Sequence, residues 1–143
     1  MAGRALQAAT TDPDPTQIGL KARVSAARRG VTVAEAAETM ESWSVPVTRF
    51  AAILGCSERT WLRARGGPPE VVLPAAASDR LLRTLRVLTH AGAVFDGKAD
   101  ARAWMSSPNA ALGGESPLAL LDTDEGVRLV DEVLTRLEFG VYA

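Results

Sequence analysis

Apolar residues along the chain recur at spacings of three and four rather than in alternation, a pattern that predicts a succession of helices and no sheet. The clearest stripe is Leu81, Leu85, Leu88 and Phe95, widened by Leu82 and Val94, and it predicts one long helix over residues 76–95. A second stripe, Val127, Val130, Leu134 and Leu137, predicts a closing helix that stops at Gly140 and leaves Val141, Tyr142 and Ala143 as an apolar tail. Asp122 and Glu125 stand at capping-box spacing at its start. Between the two stripes lie a shorter helix over residues 98–105 carrying Trp104 and a turn-rich stretch in which Ser116 and Pro117 open a short helical turn. Upstream, punctuation sets the elements. Gly30 stops a helix over residues 17–29 whose apolar side holds Ile18, Ala22 and Val24, and Thr32 caps the next. Pro46 supplies a first-turn proline for a third helix that ends at Gly55, and Ser57 caps a fourth that ends near Arg65. The expected fold class is all-α.

Composition sharpens this reading. Hydrophobic residues make up 47% of the chain, mostly as Ala and Leu, while aromatics are only 5%; this excludes a disordered chain and favours helix over sheet. Gly66, Gly67, Pro68 and Pro69 break the helical pattern. The expected organisation is therefore a flexible arm over residues 1–16, a helical domain over 17–66, a linker over 67–75 and a second helical domain over 76–143. The net charge of -1 hides an asymmetry: residues 1–66 hold nine basic and six acidic groups, and residues 67–143 hold seven and eleven. A basic front half joined to an acidic rear half points to two different partners, one of them nucleic acid. No apolar run approaches the roughly 20 residues that span a bilayer, and the first residues lack a signal-peptide core, so a cytoplasmic protein without a membrane partner is expected. One cysteine, Cys56, and one histidine, His90, make neither a structural zinc site nor an internal disulfide; no metal and no cofactor are expected.

The strongest local signal runs over residues 47–65. A helix-turn-helix requires a small residue where its two helices cross, a glycine where the turn takes positive φ, and apolar residues where the second helix packs on the first. Ala51 fills the crossing position, Gly55 the turn, and Phe50, Leu54, Cys56 and Trp61 the interior. If the second helix enters a major groove, the groups placed to meet DNA are Arg49, Ser57, Glu58, Arg59, Thr60, Arg63 and Arg65. The competing reading is a set of small helices around a glycine turn that never touches DNA. Cys56, beside the turn glycine, reads as a packed thiol rather than a nucleophile. Trp43 and Trp61 read as core residues, and His90, with no partner at catalytic spacing, reads as a solvated or packing side chain. The acidic cluster Asp122, Asp124 and Glu125 is explained by favourable charge at a helix N-terminus.

The rear half carries a resemblance as well as a pattern. Trp104 with Pro108-Asn109, the turn Leu112-Gly113-Gly114, Ser116-Pro117-Leu118, the helix start from Asp122 to Gly126, and the closing run from Arg136 to Ala143 together resemble the C-terminal toxin-binding domain of the MbcA/ParS/Xre antitoxin family. That family commonly carries a helix-turn-helix immediately upstream. The resemblance implies an N-terminal helix-turn-helix domain followed by a small helical toxin-binding and dimerisation domain, in a non-enzymatic antitoxin of a type II system. It implies as partners a RES-domain toxin that consumes NAD or transfers its ADP-ribose, operator DNA through which the protein represses its own operon, and a second copy of the chain. It also implies that Arg136, Glu138, Phe139, Gly140, Val141, Tyr142 and Ala143 cover the toxin's active site. The alternatives are a helix-turn-helix regulator with no toxin partner and, for the tail, Val141 and Tyr142 folded back onto their own core.

Overall fold

In a computed structural model, residues 20–140 are described. The expected arm over residues 1–16, residues 17–19 of the expected first helix, and Val141, Tyr142 and Ala143 lie outside them. Among the described residues every regular element is helical, apart from one isolated β-bridge: α1 (Leu20–Arg29), α2 (Val33–Ser42), α3 (Val47–Leu54), α4 (Glu58–Arg65), α5 (Ala75–Val94), α6 (Lys98–Ser106) and α7 (Asp124–Glu138), with 3-10 turns at Ala110–Leu112 and Pro117–Leu120. The chain forms two units, and the division falls inside α5, between Leu82 and Arg83.

In the first unit the core is built from Val31, Val33, Ala36, Met40, Val45, Phe50, Ile53, Leu54 and Trp61. Phe50 and Trp61 meet with ring centroids 5.0 Å apart. Val24, expected on an apolar stripe, is exposed. The N-terminus of α2 shows how the unit closes, because a helix begins with backbone N–H groups that have no partner inside it. A capping box satisfies one end of the problem: Glu35 N–H donates to Thr32 Oγ1 at 3.2 Å and Thr32 N–H donates to Glu35 Oε1 at 3.1 Å. Residues 67–75 satisfy the rest. Val33 N–H donates to the Val71 carbonyl at 2.8 Å, Ala34 N–H to that of Pro69 at 3.0 Å, and Leu73 N–H to that of Val31 at 2.8 Å, around an antiparallel bridge between Thr32 and Val72.

The Gly-Pro stretch expected as a linker is thus a strap docked on the first unit, with Leu73 buried. Gly30 takes φ +80 where the strap approaches, and an added Cβ would stand 2.7 Å from Val72 Cγ1. The first turns of α5 continue the same closure. The buried Val31 N–H donates to Ser78 Oγ at 3.0 Å, and Arg80 Nη1 donates to the Leu54 carbonyl at 3.3 Å, satisfying an orphan acceptor at the end of α3. Division at Gly66 would have cut these bonds, which is why the unit extends into α5.

The second unit buries Leu85, Val87, Leu88 and Ala91 of α5, Ala101 and Met105 of α6, Leu112, Leu118 and Leu121 of the turns, and Val127, Val130, Val133 and Leu134 of α7. Of the two stripes seen in the sequence, Leu85, Leu88, Val127, Val130 and Leu134 stand in this core, while Leu82, Val94, Phe95 and Leu137 are half-buried. Phe95 lies just past α5 rather than in it, its ring tilted against that of Trp104 with centroids 5.2 Å apart. Two caps differ by a residue from expectation. Pro46 is the N-cap of α3 rather than its first helical residue, and α7 is capped by Thr123, whose Oγ1 accepts from Gly126 N–H at 3.0 Å, rather than by Asp122. Ser116 and Pro117 take the expected N-cap and N1 places, in a 3-10 turn.

Candidate functional site

The pair α3 and α4 is held by its turn. Gly55 lies in the left-handed region at φ 79 and ψ 29, and Cys56 N–H returns to the Ala51 carbonyl at 3.0 Å, so α3 ends and the chain reverses within two residues. Ala51, buried, permits the close crossing, and Phe50, Leu54 and Trp61 fill the interior as expected. Cys56 is half-buried rather than interior. Burial pushes its thiol up from the ordinary value, only partly opposed by a backbone hydrogen bond at Trp61, so it is held as the unreactive thiol.

The groups expected to face DNA divide into two kinds. Ser57 is the N-cap of α4: its Oγ accepts from Thr60 N–H at 3.1 Å and donates to Thr60 Oγ1 at 2.9 Å. Glu58 accepts a hydrogen bond from the Thr48 hydroxyl across the turn, and Arg65 forms an ion pair with Glu41 of α2. These four fix α4 in place. Arg49, Arg59 and Arg63 are exposed and make no ion pair among the described residues. The unit therefore presents free guanidinium groups on both α3 and α4, beside the N-terminal turn of α4.

The second region is the end of α7. Arg136 and Glu138 are exposed, and Phe139 is 73% exposed, the most exposed large apolar side chain among the described residues. Phe139 caps the helix, its N–H reaching the Thr135 carbonyl at 3.1 Å, and Gly140 at φ +67 turns the backbone out of the helix. Glu138 is not a free contact group. His90 of α5 lies between two carboxylates of α7, with Nδ1 2.7 Å from Asp131 Oδ1 and Nε2 3.0 Å from Glu138 Oε2. The sequence reading missed this role; its only signal was a seven-residue spacing of acids on α7.

It also missed Ser78 and Gly126, which act through contacts distant in sequence. An added Cβ at Gly126 would lie 1.8 Å from the Leu120 carbonyl oxygen. Asp124 and Glu125 stand in the first turn of α7, as expected of charge at a helix N-terminus, and each also meets an arginine: Asp124 pairs with Arg83 at 2.7 Å and Glu125 with Arg128 one turn on. No group of three or more metal-ligating side chains gathers among the described residues, and no helix there is long and apolar enough to cross a membrane.

Residues 22–86 match the family model of the antitoxin Xre-like helix-turn-helix domain, and residues 90–140 match that of the antitoxin Xre/MbcA/ParS C-terminal toxin-binding domain. An antitoxin Xre of Yersinia enterocolitica is 31% identical over 134 residues, which covers 89% of this chain and 88% of that protein. The chain belongs to the Xre antitoxin family. Further relatives of this antitoxin are antitoxins Xre of Photorhabdus laumondii, 34% identical over 90 residues (62% of this chain, 60% of that one), and Pseudomonas putida, 35% identical over 63 residues (44% and 40%). The two matched regions meet within α5, where the antitoxin's two units divide. The free arginines of α3 and α4 thus sit in its helix-turn-helix domain, and Phe139 ends its toxin-binding domain.

Proposed function

We propose that this antitoxin neutralises a RES-domain toxin, an enzyme that consumes NAD or transfers its ADP-ribose, by laying Arg136 and residues 138–143 over the toxin's active site. The observation that carries the reading is Phe139: a large apolar side chain left 73% exposed at the end of a helix that buries only its inner face, followed by a glycine that turns the chain away. An aromatic anchor of this kind suits a cleft on a partner better than water. The protein acts by occupying the toxin rather than by chemistry of its own. Its helix-turn-helix domain binds operator DNA through Arg49, Arg59 and Arg63 with the N-terminal turn of α4 at the base edges, and so represses its own operon. A homodimer would present two α4 helices to a two-fold operator, with half-sites about 34 Å apart.

The test is co-expression of the tagged chain with the product of the neighbouring gene, followed by co-purification and an NAD-consumption assay. Expected is a stable complex in which NAD consumption is silenced, and recovery of that activity when residues 139–143 are deleted. Full inhibition by the truncated chain would move the blocking role to another surface. A neighbour that neither binds nor consumes NAD would leave a DNA-binding regulator without this toxin. Sedimentation of the free chain reports the dimer.

A further inference from the structure

The terminus that meets the toxin is useful only if its helix end is held in one place, and α7 has few ties there: beyond Leu134 its residues are exposed or half-buried. The exception is the bridge to His90. Asp131 and Glu138 are seven residues apart, about 10 Å along the helix axis. Helical side chains lean toward the N-terminus, and the extra methylene of Glu138 lets it reach back, so that both carboxylates meet one imidazole. We propose that His90 is a positioning residue for toxin capture: with Asp131 it pins Glu138, and through it fixes the place of Phe139 and Gly140 at the end of α7. This rests on the reading of the C-terminal end as the toxin-covering element.

The clamp has a preferred protonation state. Both ring nitrogens face carboxylate oxygens, and both are donors only in the imidazolium; either neutral tautomer would set a bare nitrogen against a carboxylate. The half-buried site pulls the imidazole toward neutrality, but the hydrogen bonds and charges of Asp131 and Glu138 together outweigh this and raise it above its ordinary value of 6.5. Asp131 and Glu138 are the charged groups facing the ring from α7, and on α5 itself Arg86 lies one turn earlier. Because the pKa is raised in the folded state, the tie is complete below the ordinary histidine value and is lost as pH rises through the raised one.

Two variants of the full chain test this. His90→Gln removes the cation, and His90→Arg keeps two donors and a charge that does not titrate. Amide exchange of the free protein, corrected for intrinsic rates, should show residues 137–140 protected at about pH 6 and less so at about pH 8.5; the end of α7 should be open at both in His90→Gln and protected at both in His90→Arg. Against the co-purified neighbouring gene product, the wild-type affinity divided by that of His90→Arg should fall about three- to tenfold over the same range, the ratio cancelling titration of the toxin. Unchanged protection in His90→Gln, or a flat ratio, would overturn the proposal. If deletion of residues 139–143 leaves inhibition intact, the toxin-covering reading itself has failed. Where deletion abolishes inhibition but His90→Gln binds as wild type, only the positioning role has failed.

Discussion

Gly126 sits in the first turn of α7, directly beneath the carbonyl of Leu120, and an alanine Cβ there would lie 1.8 Å from that oxygen and 2.7 Å from its carbon. A normal carbon-to-carbonyl-oxygen contact is about 3.3 Å, so the Pro117–Leu120 turn would have to move by roughly 1.5 Å. That turn carries the buried Leu118 and leads into the buried Leu121, so the shift propagates into the core. Overpacking of this kind costs about 1–3 kcal/mol and occasionally more. Alanine recovers about 1 kcal/mol as the better helix former. Because the obstacle is backbone rather than a side chain that can swing aside, the cost falls at the upper end of that range, and the expected net loss for Gly126→Ala is about 2 kcal/mol. For a unit of this size that lowers the midpoint of thermal unfolding by on the order of 10–20 °C. Trp104 reports the second unit by near-ultraviolet circular dichroism, and amide exchange over residues 83–140 localises the loss. Gly66→Ala is the control: Gly66 has an ordinary φ of -79, the nearest atom to an added Cβ is 3.5 Å away, and the change should be neutral or stabilising by up to about 1 kcal/mol. A Gly126→Ala protein as stable as wild type would refute the close approach of α7 to the turn.

In the first unit, Ser78→Ala should strand the buried Val31 N–H and cost about 1–3 kcal/mol, read as a lower urea midpoint for that unit; no change would mean that the strap and α5 are not closed through this bond. Changing Arg59 and Arg63 together to Ala should weaken operator binding across sequences and reduce the salt slope by about two, while toxin binding persists; unaltered affinity in a mobility-shift titration would remove α4 from the groove.

How much of this was legible depends on the range of the interaction. Thr32, Ser57 and Ser116 were readable as caps because a cap acts within three residues, and the stripes of α5 and α7 were readable because helical period survives any tertiary arrangement. The strap was misread because glycine and proline exclude a helix without saying whether the chain they free is loose or docked. Its carbonyls serve Val33 and Ala34, more than thirty residues upstream. Gly126 stood out only as the end of the helix start that begins at Asp122, since nothing in its neighbours announces that Leu120 occupies the volume a side chain would need. His90 looked unemployed because its partners, Asp131 and Glu138, come from another helix, and only the fold brings them within 3.0 Å. For the site residues the limit was different: the sequence lists groups that can bind a partner and cannot say which are already bound within the chain.

That last distinction is itself testable. Arg65 and Glu138 are engaged internally, with Glu41 and His90, whereas Arg59, Arg63 and Phe139 have no such tie among the described residues. A side chain held by an internal pair must give up that pair before it contacts a partner, so its truncation acts first on the shape of the unit. A free side chain has nothing to give up, and its truncation is felt only when the partner arrives. Alanine at Arg65 or Glu138 should therefore increase local amide exchange at the end of α4 or α7 in the free protein, with loss of binding following from that. Alanine at Arg59, Arg63 or Phe139 should leave exchange unchanged and appear only in the affinity for operator or toxin. Equal effects on the free protein from both sets would mean that the internal pairs hold nothing in place, and the distinction between fixing and contacting residues would fall with them.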